Sequence, residues 1–82
     1  MSPDEEILIC AVRYALGRMS YVVNIVCEYV CFRRKKLSTH CKNIIIRDIE
    51  ETLARYHDIG RTVGWEYDER EWLRLLEALK ND

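Results

Sequence analysis

Three polar residues recur at every fourth position in the most apolar stretch of the chain: Ser20, Asn24 and Glu28. That spacing puts them on one stripe of an α-helix. Read as a strand, residues 13–32 set Asn24 and Glu28 on the same face as Val22, Val26 and Val30. Such a face buries the polar pair or exposes the valines. The many β-branched residues pull towards a strand; the period of four decides for a helix. Around its polar stripe this helix is apolar on nearly every side. It is therefore central to a bundle or covered by another subunit.

The same pattern predicts three more helices. Ser2, Pro3 and Glu5 form a helix start: an N-cap, a proline at the first helical position and the second half of a capping box. The first helix runs to about Leu16, with Ile7, Leu8, Ala11, Val12, Ala15 and Leu16 as its apolar stripe. A break or kink is expected between Gly17 and Ser20, with Ser20 capping the second helix. Arg33, Arg34, Lys35 and Lys36 suit the negative end of that second helix. Ser38 or Thr39 caps a third, whose Ile45, Ile46, Ile49, Leu53 and Tyr56 share a face and which stops at Gly60. Residues 61–67, hinged at Gly60 and Gly64, read as the one real loop. Asp68 then caps a last helix with Glu71, stapled by Tyr67 and Trp72. Its apolar face is Trp72, Leu73, Leu75, Leu76 and Leu79.

These elements amount to an all-α, four-helix domain spanning residues 1–82. At this length a chain buries only about 60% of the surface its unfolded form exposes. Burying a helix that is apolar on most sides needs more protein than one copy supplies, so the expected state is a homo-oligomer. Apolar residues at 49% and charged residues at 33% fit a folded chain. A net charge of -1 gives no global drive to nucleic acid or acidic lipid. The acidic start lacks the basic region of a signal peptide. Residues 19–32 fall short of the roughly 20 apolar residues a membrane span needs. The expected place is the cytoplasm, with the four cysteines as thiols.

Little here points to catalysis. Cys27, Cys31, His40 and Cys41 are the best metal candidates, but their spacing matches no common zinc pattern, so no metal and no cofactor is expected. Cys41 with His57 has no evident orienting group or oxyanion site. The basic run at 33–36 is first of all a solvated helix end, next a contact for a neighbouring subunit's acidic face, and only then a modest phosphate footprint without interleaved aromatics. Arg13, Arg18, Arg47 and Arg61 are more informative, because Tyr14, Tyr21 and Trp65 lie close to them in sequence. Guanidinium groups and stacking rings are what a phosphorylated, planar ligand requires. Asp48, Glu28 and Asp58 are the acids that would instead pair with these arginines and hold helices together.

The run RYALGRMSY at 13–21, then IIIRDIEE at 44–51, then DEREWL at 68–73 followed by Leu75, Leu76 and Glu77, resembles small uncharacterised proteins of phages and prophages of Gram-positive bacteria. The resemblance covers most of the chain and carries no established activity with it. Residues 61–66 are where this member is expected to differ from its relatives. Small phage proteins without catalytic residues are often inhibitors of host defence. The expected function is accordingly non-enzymatic: a phage counter-defence protein acting by binding in the host cytoplasm. It either sequesters a nucleotide signal through Arg13, Tyr14, Arg18, Arg47 and Trp65, or docks on a host defence protein. The alternatives are an adaptor or regulatory protein working through protein contacts alone, and a weak nucleic-acid binder using Arg33 to Lys36.

Overall fold

Ser2 sets the first helix. Its hydroxyl accepts the Glu5 backbone N–H at 3.3 Å, and the Glu5 carboxylate accepts the Ser2 backbone N–H at 3.3 Å. Asp4, Glu5 and Glu6 complement the positive end of the helix so begun, α1 (Pro3–Leu16). Its last turn closes on Gly17, whose N–H donates to the Tyr14 carbonyl at 3.2 Å. Gly17 has φ -93°, which any residue adopts, so the backbone there does not demand glycine. The computed structural model describes residues 2–17, 21–59 and 65–81, with the backbone alone at 21, 56–59 and 65–68.

Helix α2 (Tyr21–Arg33) follows and tightens into a 3-10 turn at Arg34–Lys36. The four cations thus sit where the helix carbonyls run out of partners. Ser38 then caps α3 (Thr39–Ile59): its hydroxyl accepts the Cys41 N–H at 3.1 Å. Helix α4 (Trp65–Lys80) completes an all-α fold of four helices, with no strand among the described residues. The caps expected at Ser20 and Gly60 and the joint at Gly64 lie outside the described residues.

The main packing forms a ring in the order α1, α2, α4, α3, each helix against two neighbours. Contacts from Glu5 to Ser38 and from Arg13 to Asp48 run α1 parallel to α3. The interior is a set of stripes at helical spacing. Val23, Cys27 and Val30 come from α2, and Cys41, Ile45, Ile49 and Leu53 from α3. Val12, Ile45, Ile49 and Val30 are fully buried, and Trp72 from α4 is 1% exposed. Burying each such aliphatic side chain is worth roughly 1.5–3 kcal/mol.

Three expectations are corrected. Helix α4 begins at Trp65, so residues 65–67 are helical rather than loop and Asp68 is the fourth helical residue, not a cap. No glycine or proline interrupts residues 65–80, so nothing in that run stops the helix short of Trp65. Ile7 is 67% exposed while Ile9 is buried, because the buried arc of α1 is centred on Val12 and turns Ile7 outward. Leu73 is 49% exposed, since Trp72, Leu75, Leu76 and Leu79 already fill the arc of α4 that faces the core.

Candidate functional site

Two surfaces gather the functional chemistry of the described residues. The first lies along α1 and α3. Arg13 on α1 donates from Nε to Asp48 Oδ2 on α3 at 2.7 Å, a charge-assisted bond that links the two helices. The hydrogen bond and the charge of Asp48 raise the Arg13 guanidinium above its ordinary value, so it is a permanent cation. Its side chain stays 56% exposed although it is held. Tyr14 follows it on α1 with its side chain largely outward at 57% exposure, and Arg47 precedes Asp48 on α3 and is exposed.

The fold therefore brings Arg13 and Tyr14 beside the segment of α3 that carries Arg47. Arg18 and Arg61 lie outside the described residues. Trp65 is the first residue of α4. Fifteen residues at 1.5 Å each separate its backbone from Lys80 by about 22 Å. Lys80 donates to Glu50 at 2.8 Å, close to Arg47 on α3, so the Trp65 backbone begins at the far end of α4 from Arg47. One of the proposed structural pairings, that of Arg13 with Asp48, is present.

The second surface lies on the helix expected to mediate assembly, but its groove was not singled out from the sequence. A groove of about 570 Å³ opens between α1 and the C-terminal end of α2. Ile7, Leu8 and Ala11 form one wall, and Tyr29, Arg33 and Lys36 the other, with Asp4 and Glu5 at the α1 end. Arg33 donates to the Tyr29 hydroxyl at 2.9 Å and lies with its guanidinium carbon 5.7 Å from the ring centroid. Arg34 turns back to donate to the Cys31 carbonyl at 2.7 Å. Two of the four cations of the basic run are thus engaged within the chain. Beside the groove, α2 presents Ile25 at 57%, Tyr29 at 49% and Phe32 at 86% exposure. These stand four and three apart and make one outward stripe. The signal that would have found this surface is the Tyr29–Arg33 spacing of four, next to an apolar stripe that one copy leaves open.

Glu5 fixes the floor of the groove. Its carboxylate accepts the Ser38 N–H at 2.7 Å and so ties the start of α3 to the start of α1. Donation from Ser38 lowers the Glu5 acid below its ordinary value. Burial, with the nearby Glu5 charge, pushes the Cys41 thiol up and keeps it protonated. Cys27 and Cys31 instead face α4 across a small cavity of about 90 Å³, next to Glu71, which is 8% exposed and 3.8 Å from Arg74. Among the described residues no three His, Cys, Asp or Glu side chains are placed to hold a metal ion. No described helix is long and apolar enough to cross a membrane.

No protein-family model, no curated protein and no solved structure matches this chain.

Proposed function

We propose that this chain is a non-enzymatic phage counter-defence protein that acts in the host cytoplasm by capturing a phosphorylated, planar signal such as a nucleotide. The observation that carries the reading is Arg13: a guanidinium held by Asp48 at 2.7 Å yet still more than half exposed. Holding the cation in place lowers the ordering entropy that a ligand must otherwise overcome. Tyr14 is the ring next to it and Arg47 the second cation. Arg18 stays assigned to the same ligand as part of the proposal, with Tyr14 rather than Trp65 as the stacking ring, because the Trp65 backbone begins at the far end of α4 from Arg47. Asp48 is only 15% exposed, so Arg13→Ala also takes the partner from a largely buried carboxylate, and Arg13→Lys, which keeps a cation there, is the control that separates binding from folding.

Calorimetric titration with a panel of linear and cyclic nucleotides tests this. Binding is expected, and Arg13→Ala and Arg47→Ala should each weaken it about tenfold or more, the worth of one charge-assisted bond. Arg47→Ala and Arg13→Lys should melt near wild type. Silence across the whole panel, or variants that bind as wild type does, would overturn the reading.

The open stripe on α2 favours a second reading, in which the chain works through protein contacts alone, as an adaptor or by docking on a host protein. The same stripe supports assembly of the chain as a homo-oligomer through α2. Salt separates both from nucleic-acid binding through Arg33 to Lys36, which should weaken steeply as ionic strength rises.

A further inference from the structure

The groove has rims of opposite charge, and an exposed apolar stripe runs beside it. The stripe ends in Phe32, a ring 86% exposed at the C-terminal end of α2. The groove next to it is a cleft with an apolar wall of Ile7, Leu8 and Ala11. A ridge beside a groove on one helix pair is the geometry by which helices interlock. The two rims carry opposite charge: Asp4 on the α1 side, Lys36 on the side of the 3-10 turn. A rotation of 180° about an axis through this face exchanges the rims, so each acidic rim meets a basic one. A surface that is its own complement in this way fits a two-fold interface.

We propose that the occupant of this groove is a second copy of the chain: across a two-fold axis, Phe32 of each copy enters the groove of the other, and Asp4 of each faces Lys36 of the other. The proposal rests on the reading of α2 as an assembly surface and adds the residues and the symmetry. Arg33, already laid against Tyr29, holds the ring that forms the far wall of the groove. Ile25 extends the contact along α2.

Sedimentation equilibrium over a wide concentration range tests the arrangement, with circular dichroism melting as the check on folding. The wild type should be dimeric or a multiple of dimers. Phe32→Ala removes two buried rings per dimer and should raise the dissociation constant about a hundredfold or more, by the transfer cost of aromatic side chains. It should melt as a folded domain, because Phe32 is exposed within one copy. Asp4→Lys and Lys36→Glu should each weaken the dimer by placing like charges opposite one another. Mixed in equal amounts, the two charge variants should pair with each other at close to wild-type strength, since the mixed dimer restores both contacts. A wild type monomeric at every concentration would overturn the assembly reading and this proposal together. A wild-type dimer indifferent to Phe32→Ala, with no recovery on mixing, would overturn this arrangement alone.

Discussion

Truncating Trp72 to alanine should destabilise the protein severely, while the same change at its neighbour Leu73 should hardly matter. Trp72 is 1% exposed and sits where α4 meets the core, whereas Leu73 is 49% exposed. An aromatic side chain buries about 150–250 Å². At roughly 25 cal/mol per Å² its burial is worth about 4–6 kcal/mol, and tryptophan-to-alanine changes in cores cost about 3–5 kcal/mol. A domain of this length holds only about 4–12 kcal/mol in total. Trp72→Ala therefore removes a large part of the margin. Leu73→Ala forfeits at most half of a leucine's transfer energy, about 1 kcal/mol, partly offset by the better helix propensity of alanine. Since about 1 kcal/mol moves the midpoint of so small a domain by roughly 4–8 °C, Leu73→Ala should melt within a few degrees of wild type. Far-ultraviolet circular dichroism with urea and heat reads both. If Leu73→Ala cost as much as Trp72→Ala, the rotation of α4 about its axis would be wrong, and with it the packing of α4 on α2 and α3.

Two further predictions concern the junction of α1 and α3. Ser38→Ala removes the cap that accepts the Cys41 N–H. It should cost about 1 kcal/mol, seen as a drop of several degrees in thermal midpoint. Glu5 is an acid whose folded value lies below the ordinary 4.5, chiefly because the Ser38 N–H donates to it. A depressed carboxylate contributes stability that is present above its ordinary value and lost as pH falls towards the lower folded one. Thermal midpoints measured from pH 7 to pH 3 should therefore fall below pH 4.5 in the wild type. Glu5→Gln keeps an acceptor but removes the titration, so its acid limb should be shallower. Identical acid limbs would show that Glu5 does not carry the link.

The helices were legible in the sequence wherever a local signal marks them. Ser2, Pro3 and Glu5 declare the start of α1, Ser38 that of α3, and the run of Ile45, Ile49 and Leu53 the buried face of α3. The start of α4 was misread because Asp68 and Glu71 imitate a capping box, whereas residues 65–80 hold no glycine or proline to stop the helix before Trp65. Ile7 and Leu73 were misplaced for a related reason. Runs of adjacent apolar residues leave the centre of the buried arc undetermined by periodicity alone, and neighbouring helices decide it. The contact of Arg13 with Asp48 was legible only as one of several possible pairings, because partners 35 residues apart are joined by topology. The groove escaped notice altogether, since its two walls are brought together only when α1 folds back on α2.

The most direct test is native mass spectrometry of the purified protein incubated with the nucleotide panel, followed by a denaturing run on the same sample. The account predicts an assembly with an even number of subunits, each carrying one nucleotide-sized adduct that denaturation releases. A bare monomer in that spectrum would contradict it.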